Sequence, residues 1–248
     1  MTNRIGWVTI VREIDCFRED TMTRVAVFDL DGTLLDTLDD LHAAVCRALA
    51  RASLPLRTRE EIRAFVGDGV ELLIRRAVPA DLATLPNGEE QIRTVLADFK
   101  ADYAANCTVA TAPYVGISAL LDALRAAGVR IAVVSNKFDA ATKALCRQYF
   151  GDRVDVAVGE READGIRKKP APDTVFEAVD ALGIRLSDPD ARIFYIGDSE
   201  VDVETAKNAG IPCISVTWGF RDEDFLLARG ANLFASTPDE VLRILTSD

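Results

Sequence analysis

Three short apolar runs, Val25-Ala26-Val27-Phe28, Ile131-Ala132-Val133-Val134 and Ile193-Phe194-Tyr195-Ile196, each break off into acids, hydroxyls or lysine. Four apolar residues in a row, without alternation, suit strands buried on both faces, which calls for helices above and below one sheet. From Pro113 onward such runs alternate with helical stripes. Ile117, Leu120, Leu121 and Leu124 share one helical face, stopped by Gly128. Strands are predicted over 129–134, 154–158, 192–196 and 213–217. Helices are predicted over 140–149, 172–182 and 201–209, with Thr237, Pro238 and Glu240 opening a last one. This rhythm predicts an α/β fold with a doubly wound parallel sheet over residues 23–35 and 113–248.

Residues 36–112 interrupt that rhythm with helical periodicity alone. Thr37 is placed to cap a helix whose apolar face is Leu38, Leu41, Val45 and Leu49. Thr58 and Glu61 have capping-box spacing ahead of Ile62, Phe65 and Val66, and Ile92, Val95, Leu96, Phe99 and Tyr103 form a further stripe. No strand-like alternation occurs in this block, so it reads as an all-helical domain inserted after the first strand. Residues 1–22 read as an N-terminal extension; they are charged throughout and lack the apolar core of a secretory signal.

Net charge sets limits on partners. The chain carries a formal −11, which disfavours nucleic acid and anionic membranes. No apolar run approaches a membrane span. The five cysteines are scattered without a Cys-x-x-Cys pair, as expected for free thiols in a cytoplasmic protein. The single histidine, His42, sits on an amphipathic helix and reads as an ordinary core-edge residue. Chemistry must then rest on carboxylates, hydroxyls and lysines.

Those groups cluster where the apolar runs end. Asp29-Leu30-Asp31-Gly32-Thr33 follows the first run, and the period of a strand lets Asp29 and Asp31 point the same way. Asp-x-Asp-Gly also suits a plain turn. A calcium loop is excluded, because Gly32 follows the second Asp at once and Leu34 and Leu35 occupy ligand positions. Ser135-Asn136-Lys137 ends the second run. Lys168-Lys169-Pro170 precedes a helix, and Gly197-Asp198-Ser199-Glu200-Val201-Asp202 ends the third run.

With these four strings in this order, residues 23–248 resemble the haloacid dehalogenase-like superfamily of phosphatases. The resemblance implies Asp29 as nucleophile, Asp31 as general acid and base, and Lys169 as electrostatic stabiliser, with Lys-Pro selecting Lys169 over Lys168. It implies Thr33, Ser135, Asn136 and Lys137 as substrate-binding residues, Lys137 being equally readable as a solvated loop residue. Mg²⁺ is the expected cofactor, held by Asp29, Asp198, Asp202 and the backbone carbonyl of Asp31. Glu200 is a less favoured substitute for Asp202, and Asp202 also reads as an acid complementing a helix N-terminus.

The expected substrate is a small phosphate ester. Pro113-Tyr114-Val115-Gly116 and Lys169-Pro170-Ala171-Pro172-Asp173 are most similar to phosphoglycolate phosphatases. Pyrophosphatases, sugar-phosphate phosphatases and phosphomutases share most of these strings. A phospho-accepting signalling module uses a similar residue set but lacks a second acid like Asp31 and a large insert. In the superfamily such an insert is a cap. Gly67-Asp68-Gly69 reads either as a substrate-facing loop or as a helix break.

Overall fold

The computed structural model describes residues 22–247; apart from Met22, the expected N-terminal extension lies outside the described residues. In chain order the elements are β1 (Thr23–Phe28), β2 (Leu35–Asp36), α1 (Leu38–Arg51), α2 (Arg59–Phe65), α3 (Val70–Ala77) and α4 (Gly88–Asn106). Then come β3 (Ala112–Pro113), α5 (Ile117–Ala126), β4 (Arg130–Phe138), α6 (Asp139–Tyr149), β5 (Val156–Glu160) and α7 (Asp173–Ala181). The chain finishes with β6 (Ala191–Gly197), α8 (Glu200–Ala209), β7 (Cys213–Val216), α9 (Glu223–Leu227), β8 (Phe234–Ala235) and α10 (Pro238–Thr246).

The main sheet runs β5-β4-β1-β6-β7-β8, and every pairing in it is parallel. Strand periodicity divides its side chains between two cores. Ala26, Phe28, Ile131, Val133 and Ile196 face α5, α6 and α10. Val25, Val27, Ala132, Val134 and Tyr195 face α7 and α8. The sheet is therefore covered on both faces, as the unbroken apolar runs require. Each fully buried aliphatic or Phe side chain contributes about 1.5–3 kcal/mol relative to exposure.

Helices α1–α4 build a separate apolar cluster from Leu41, Val45, Leu49, Ile74, Val95 and Phe99, among others, and Phe220 from the sheet domain packs into it. Where the chain leaves and re-enters the sheet domain, β2 and β3 pair antiparallel, Leu35 with Pro113 and Asp36 with Ala112. Sequence alternation missed this ladder because two residues per strand are too few to show a period. Buried Asp40 accepts from the backbone N–H groups of Ala110 and Thr111, which ties the returning strand to α1.

Capping follows the sequence at α2, where Thr58 and Glu61 form the expected capping box. It departs at α1: the Thr37 side chain makes no cap bond, and Asp36 instead accepts from the Leu38 N–H at 3.3 Å. Strand β4 also extends past the predicted stop at Val134 to Phe138, with a register irregularity over the Ser135-Asn136-Lys137 segment. Such an irregularity re-aims side chains at a strand end. No helix among the described residues is long and apolar enough to cross a membrane.

Candidate active site

β1 is central in the sheet, flanked by β4 and β6, so three strand ends open on one crevice. Asp29 follows β1, and its N–H donates to the carbonyl of Ile196 at the tip of β6. Asp198 follows β6. Asp29, Asp198 and Asp202 each offer a carboxylate oxygen within 4.8 Å of the others, and all three are buried. Hard oxygen donors crowded in this way can hold a divalent cation.

Asp198 is fastened from three sides. Thr33 Oγ1 donates to its Oδ1 at 3.0 Å, and the backbone N–H of Phe220 donates to its Oδ2 at 2.6 Å. Gly32 and Gly219 close around it: a Cβ on either would fall 2.4 Å from an Asp198 atom. Burial, then the charge of Asp202, pushes the Asp198 carboxyl up to about 7, against the pull of the Phe220 and Thr33 donors. Asp29 is likewise raised, by burial and then by Asp202, with Lys169 opposing.

Lys169 answers that excess of negative charge. Its Nζ donates to Asp29 Oδ1 at 2.7 Å, Asp202 Oδ1 at 2.8 Å and the Tyr195 hydroxyl at 3.1 Å. Burial alone would lower its pKa, but Asp202 and Asp29 outweigh burial and hold it above the usual lysine value. The backbone around Lys169 is fixed by Asn136, whose Oδ1 accepts from the Lys169 N–H and whose Nδ2 donates to the Lys169 carbonyl. Asp202 is fully buried and both of its oxygens are engaged. Oδ1 accepts from Lys169 and Tyr195, while Oδ2 accepts from the N–H and hydroxyl of Ser199 as half of a capping box on α8.

Asp31 has a lysine of its own. Lys137 Nζ lies 3.1 Å from Asp31 Oδ1 and donates to the Tyr103 hydroxyl on α4 at 2.8 Å. Lys137 is 5% exposed, so the solvated-loop reading of it does not hold. Ser135 Oγ accepts from the Lys137 N–H at 3.2 Å. Together these groups line a cavity of about 50 Å³. Its floor is Asp29, Asp31, Ser135, Lys137, Lys169 and Asp198. Its far wall is Val66, Gly67, Gly69, Val70 and Leu73 of the insert, with Phe220.

Most of the expected site residues are thus brought together, with one difference of placement. Thr33 is fully buried and does not line the cavity; its hydroxyl is directed onto Asp198. Asn136 lines the cavity as expected, while its side chain bonds the Lys169 backbone and the carbonyl of Gly67, the latter at 3.0 Å. Glu200 pairs with Arg221 at 2.9 Å and stands apart from the acid cluster.

A family model for haloacid dehalogenase-like hydrolases matches residues 23–210. This chain belongs to that family. A phosphoglycolate phosphatase of Mesorhizobium japonicum is 34% identical over 199 residues, 80% of this chain and 84% of the relative. One from Cereibacter sphaeroides is 38% identical over 198 residues, 79% of this chain and 85% of the relative. A solved structure from Lactobacillus delbrueckii subsp. bulgaricus, provisionally named as a phosphoglycolate phosphatase, superposes with a TM-score of 0.81 at 35% identity. It covers 92% of this chain and all of its own. The haloacid dehalogenase-like hydrolase described here is a phosphatase, acting on phosphoric monoesters.

Several residues of this hydrolase's site escaped the sequence reading. Tyr195 looked like one more strand residue, and Tyr103 like one more position of a helical stripe. The largest omission is the loop after β7. There Trp218 Nε1 donates to the Thr33 carbonyl at 3.0 Å, Gly219 abuts Asp198, Phe220 binds Asp198, and Arg221 reaches the insert. Its signal was available: the predicted strand over 213–217 runs into Trp218 and is broken by Gly219, as the other strands break into site residues.

Proposed function

We propose that this hydrolase is a cytoplasmic, Mg²⁺-dependent phosphatase that cleaves a small phosphorylated metabolite, 2-phosphoglycolate foremost, through an aspartyl-phosphate on Asp29. The observation that carries the reading is the buried trio Asp29, Asp198 and Asp202, with the Lys169 ammonium paired to two of them, Asp29 and Asp202. That set concentrates oxygen ligands and one fixed positive charge where a phosphate dianion would otherwise be repelled. The names of the curated relatives support 2-phosphoglycolate.

Asp29 and Asp198 are the proposed direct ligands, joined by the Asp31 carbonyl, with Asp202 holding the cation directly or through water. When bound, the cation screens the carboxylates and the phosphate from one another. An Asp29 oxygen then forms a bond to phosphorus as the ester P–O bond breaks. Asp31 gives its proton to the departing oxygen. In the second half it takes a proton from water, whose oxygen attacks phosphorus and returns Asp29 and inorganic phosphate. Lys169 stays protonated throughout and balances charge on Asp29 and the transferring group. Ser135 and the backbone N–H of Asn136 donate to the phosphate.

Helices α1–α4 act as the cap that shuts water out. A cavity of about 50 Å³ with walls of Val66, Val70, Leu73 and Phe220 favours a leaving group of few atoms over a sugar or a nucleotide. The test is a panel of phosphate esters assayed with Mg²⁺ and with chelator. The expected result is strongest turnover of 2-phosphoglycolate, abolished by chelator and by Asp29→Asn. Turnover of pyrophosphate or a sugar phosphate alone would move the substrate assignment. Full activity of Asp29→Asn would overturn the mechanism.

A further inference from the structure

Arg221 follows directly from the loop that holds Asp198, yet most of its bonds go to the insert. Its guanidinium donates to the carbonyls of Arg63 and Val66, both at 2.8 Å, at the C-terminal end of α2. A Cβ on Gly67 would lie 3.8 Å from Arg221 Nη2, so the side chain runs directly beneath the start of the Gly67-Asp68-Gly69 turn. Nε is tied to Glu200 at 2.9 Å, at the start of α8. The side chain is only 8% exposed. In the reverse direction, Arg63 Nη2 of the insert donates to the Gly219 carbonyl at 3.1 Å.

Two facts give this contact a consequence for selectivity. First, the C-terminal carbonyls of a helix lack intrahelical partners, and a guanidinium there answers both the carbonyls and the helix dipole. Second, the segment it grips leads straight into Val66, Gly67, Gly69 and Val70, insert residues that line the same cavity as Asp29 and Asp31. Gly67 has φ +132° and Gly69 +90°, so this wall has little stiffness of its own and takes its position from its anchors. Two other anchors meet the segment: Asn136 donates to the Gly67 carbonyl at 3.0 Å, and Arg76 donates to the Phe65 carbonyl at 2.8 Å and to Asp68 Oδ2 at 2.5 Å, while Arg221 ties it to the loop that holds Asp198.

We infer that Arg221 is a specificity-determining positioning residue, clasping the end of α2 so that the 66–70 wall closes over the site and restricts the leaving group to small size. The inference rests on the phosphatase reading given above. Arg221 touches no reacting atom. Glu200 accepts from its Nε at 2.9 Å and its Nη2 at 3.3 Å, and Phe220 beside it couples the same loop to Asp198.

The test uses Arg221→Met, Arg221→Lys and the full-length wild-type protein. With 2-phosphoglycolate, Arg221→Met is expected to raise KM by about tenfold or more while kcat changes much less, the scale of a lost charge-assisted hydrogen bond. With p-nitrophenyl phosphate, whose ring is bulky, kcat/KM is expected to hold or rise, because a loosened wall admits it. A merely structural residue would depress both esters together, and that result overturns the inference. Arg221→Lys keeps the charge beside Glu200 but cannot reach both carbonyls, so wild-type behaviour there also overturns it. Amide hydrogen exchange supplies a readout free of activity: faster exchange over 62–70 with β1 unchanged supports the clasp, and unchanged exchange over 62–70 refutes it. Should wild type cleave neither ester, the phosphatase reading fails, and the exchange result still decides the role of Arg221.

Discussion

Lys169 Nζ meets Asp29 Oδ1 at 2.7 Å although the residues stand 140 positions apart. The same ammonium holds Asp202 at 2.8 Å, so one buried cation organises both acids at the end of the sheet. Lys169→Met leaves two buried carboxylates without their partner. Breaking one side of a buried pair costs about 3–5 kcal/mol. Urea unfolding is expected to show a loss in that range, together with at least a hundredfold fall in kcat.

Asp198 gives a pH signature in metal-free protein. Its folded pKa of about 7 lies above its ordinary value, so the folded state binds more protons than the unfolded state through that interval. The stability it contributes is complete below about pH 4 and is lost as pH rises toward 7. The difference in unfolding free energy between wild type and Asp198→Asn isolates this group from the surface acids. Asn does not titrate, so the variant is expected to gain on wild type across that interval, by an amount on the order of 3 kcal/mol.

Mg²⁺ should reverse that deficit. A ligand present at a hundred times its dissociation constant stabilises the folded state by about 2.7 kcal/mol. Thermal unfolding with and without Mg²⁺ is expected to show a rise in Tm for wild type that is lost in Asp198→Asn, because the raised carboxyls at positions 29 and 198 exchange proton for cation.

Gly219→Ala tests the fit around the same acid. A Cβ there would sit 2.4 Å from both the Asp198 Cβ and the Gly32 carbonyl oxygen. Neither is the tip of a flexible side chain, so Asp198 must shift. Overpacking of this kind costs about 1–3 kcal/mol. Activity is expected to fall by two orders of magnitude or more while circular dichroism still reports a folded chain.

Two threonines at helix starts should behave oppositely. Thr58 accepts from the Glu61 N–H, and Thr58→Ala is expected to cost about 1 kcal/mol. Thr37 is fully buried and its hydroxyl has no hydrogen-bond partner. Thr37→Val, which removes the hydroxyl but keeps the shape, is expected to stabilise or to change stability by less than about 0.5 kcal/mol in denaturant unfolding.

The contrast between those threonines marks where local rules hold. Thr58 reads correctly because a capping box involves residues three apart in one stretch of chain. Thr37 reads incorrectly because Asp36, drawn into the β2–β3 ladder, takes the capping role. The strands at 25–28, 131–134 and 193–196 were legible for the simplest reason. Unbroken apolar runs have one physical use in a chain of this charge, which is burial on both sides, and the polar residues ending them must then share one edge.

Asp29, Asp31, Asp198 and Lys169 were nameable from sequence because four strings in one order resemble those of a known superfamily; the ends of the apolar runs alone offered the acids and left the roles and Lys169 open. What sequence could not reach is every relationship between those ends. That Tyr195 shares Asp202 with Lys169, that Tyr103 meets Lys137, and that the loop from Trp218 to Arg221 grips both Asp198 and the insert are facts of the packed molecule. Local pattern specifies which residues a segment buries and where it stops. Only the close packing of segments distant along the chain decides which buried polar groups become partners, since a desolvated donor or acceptor is driven to pair with whatever the fold sets within its reach.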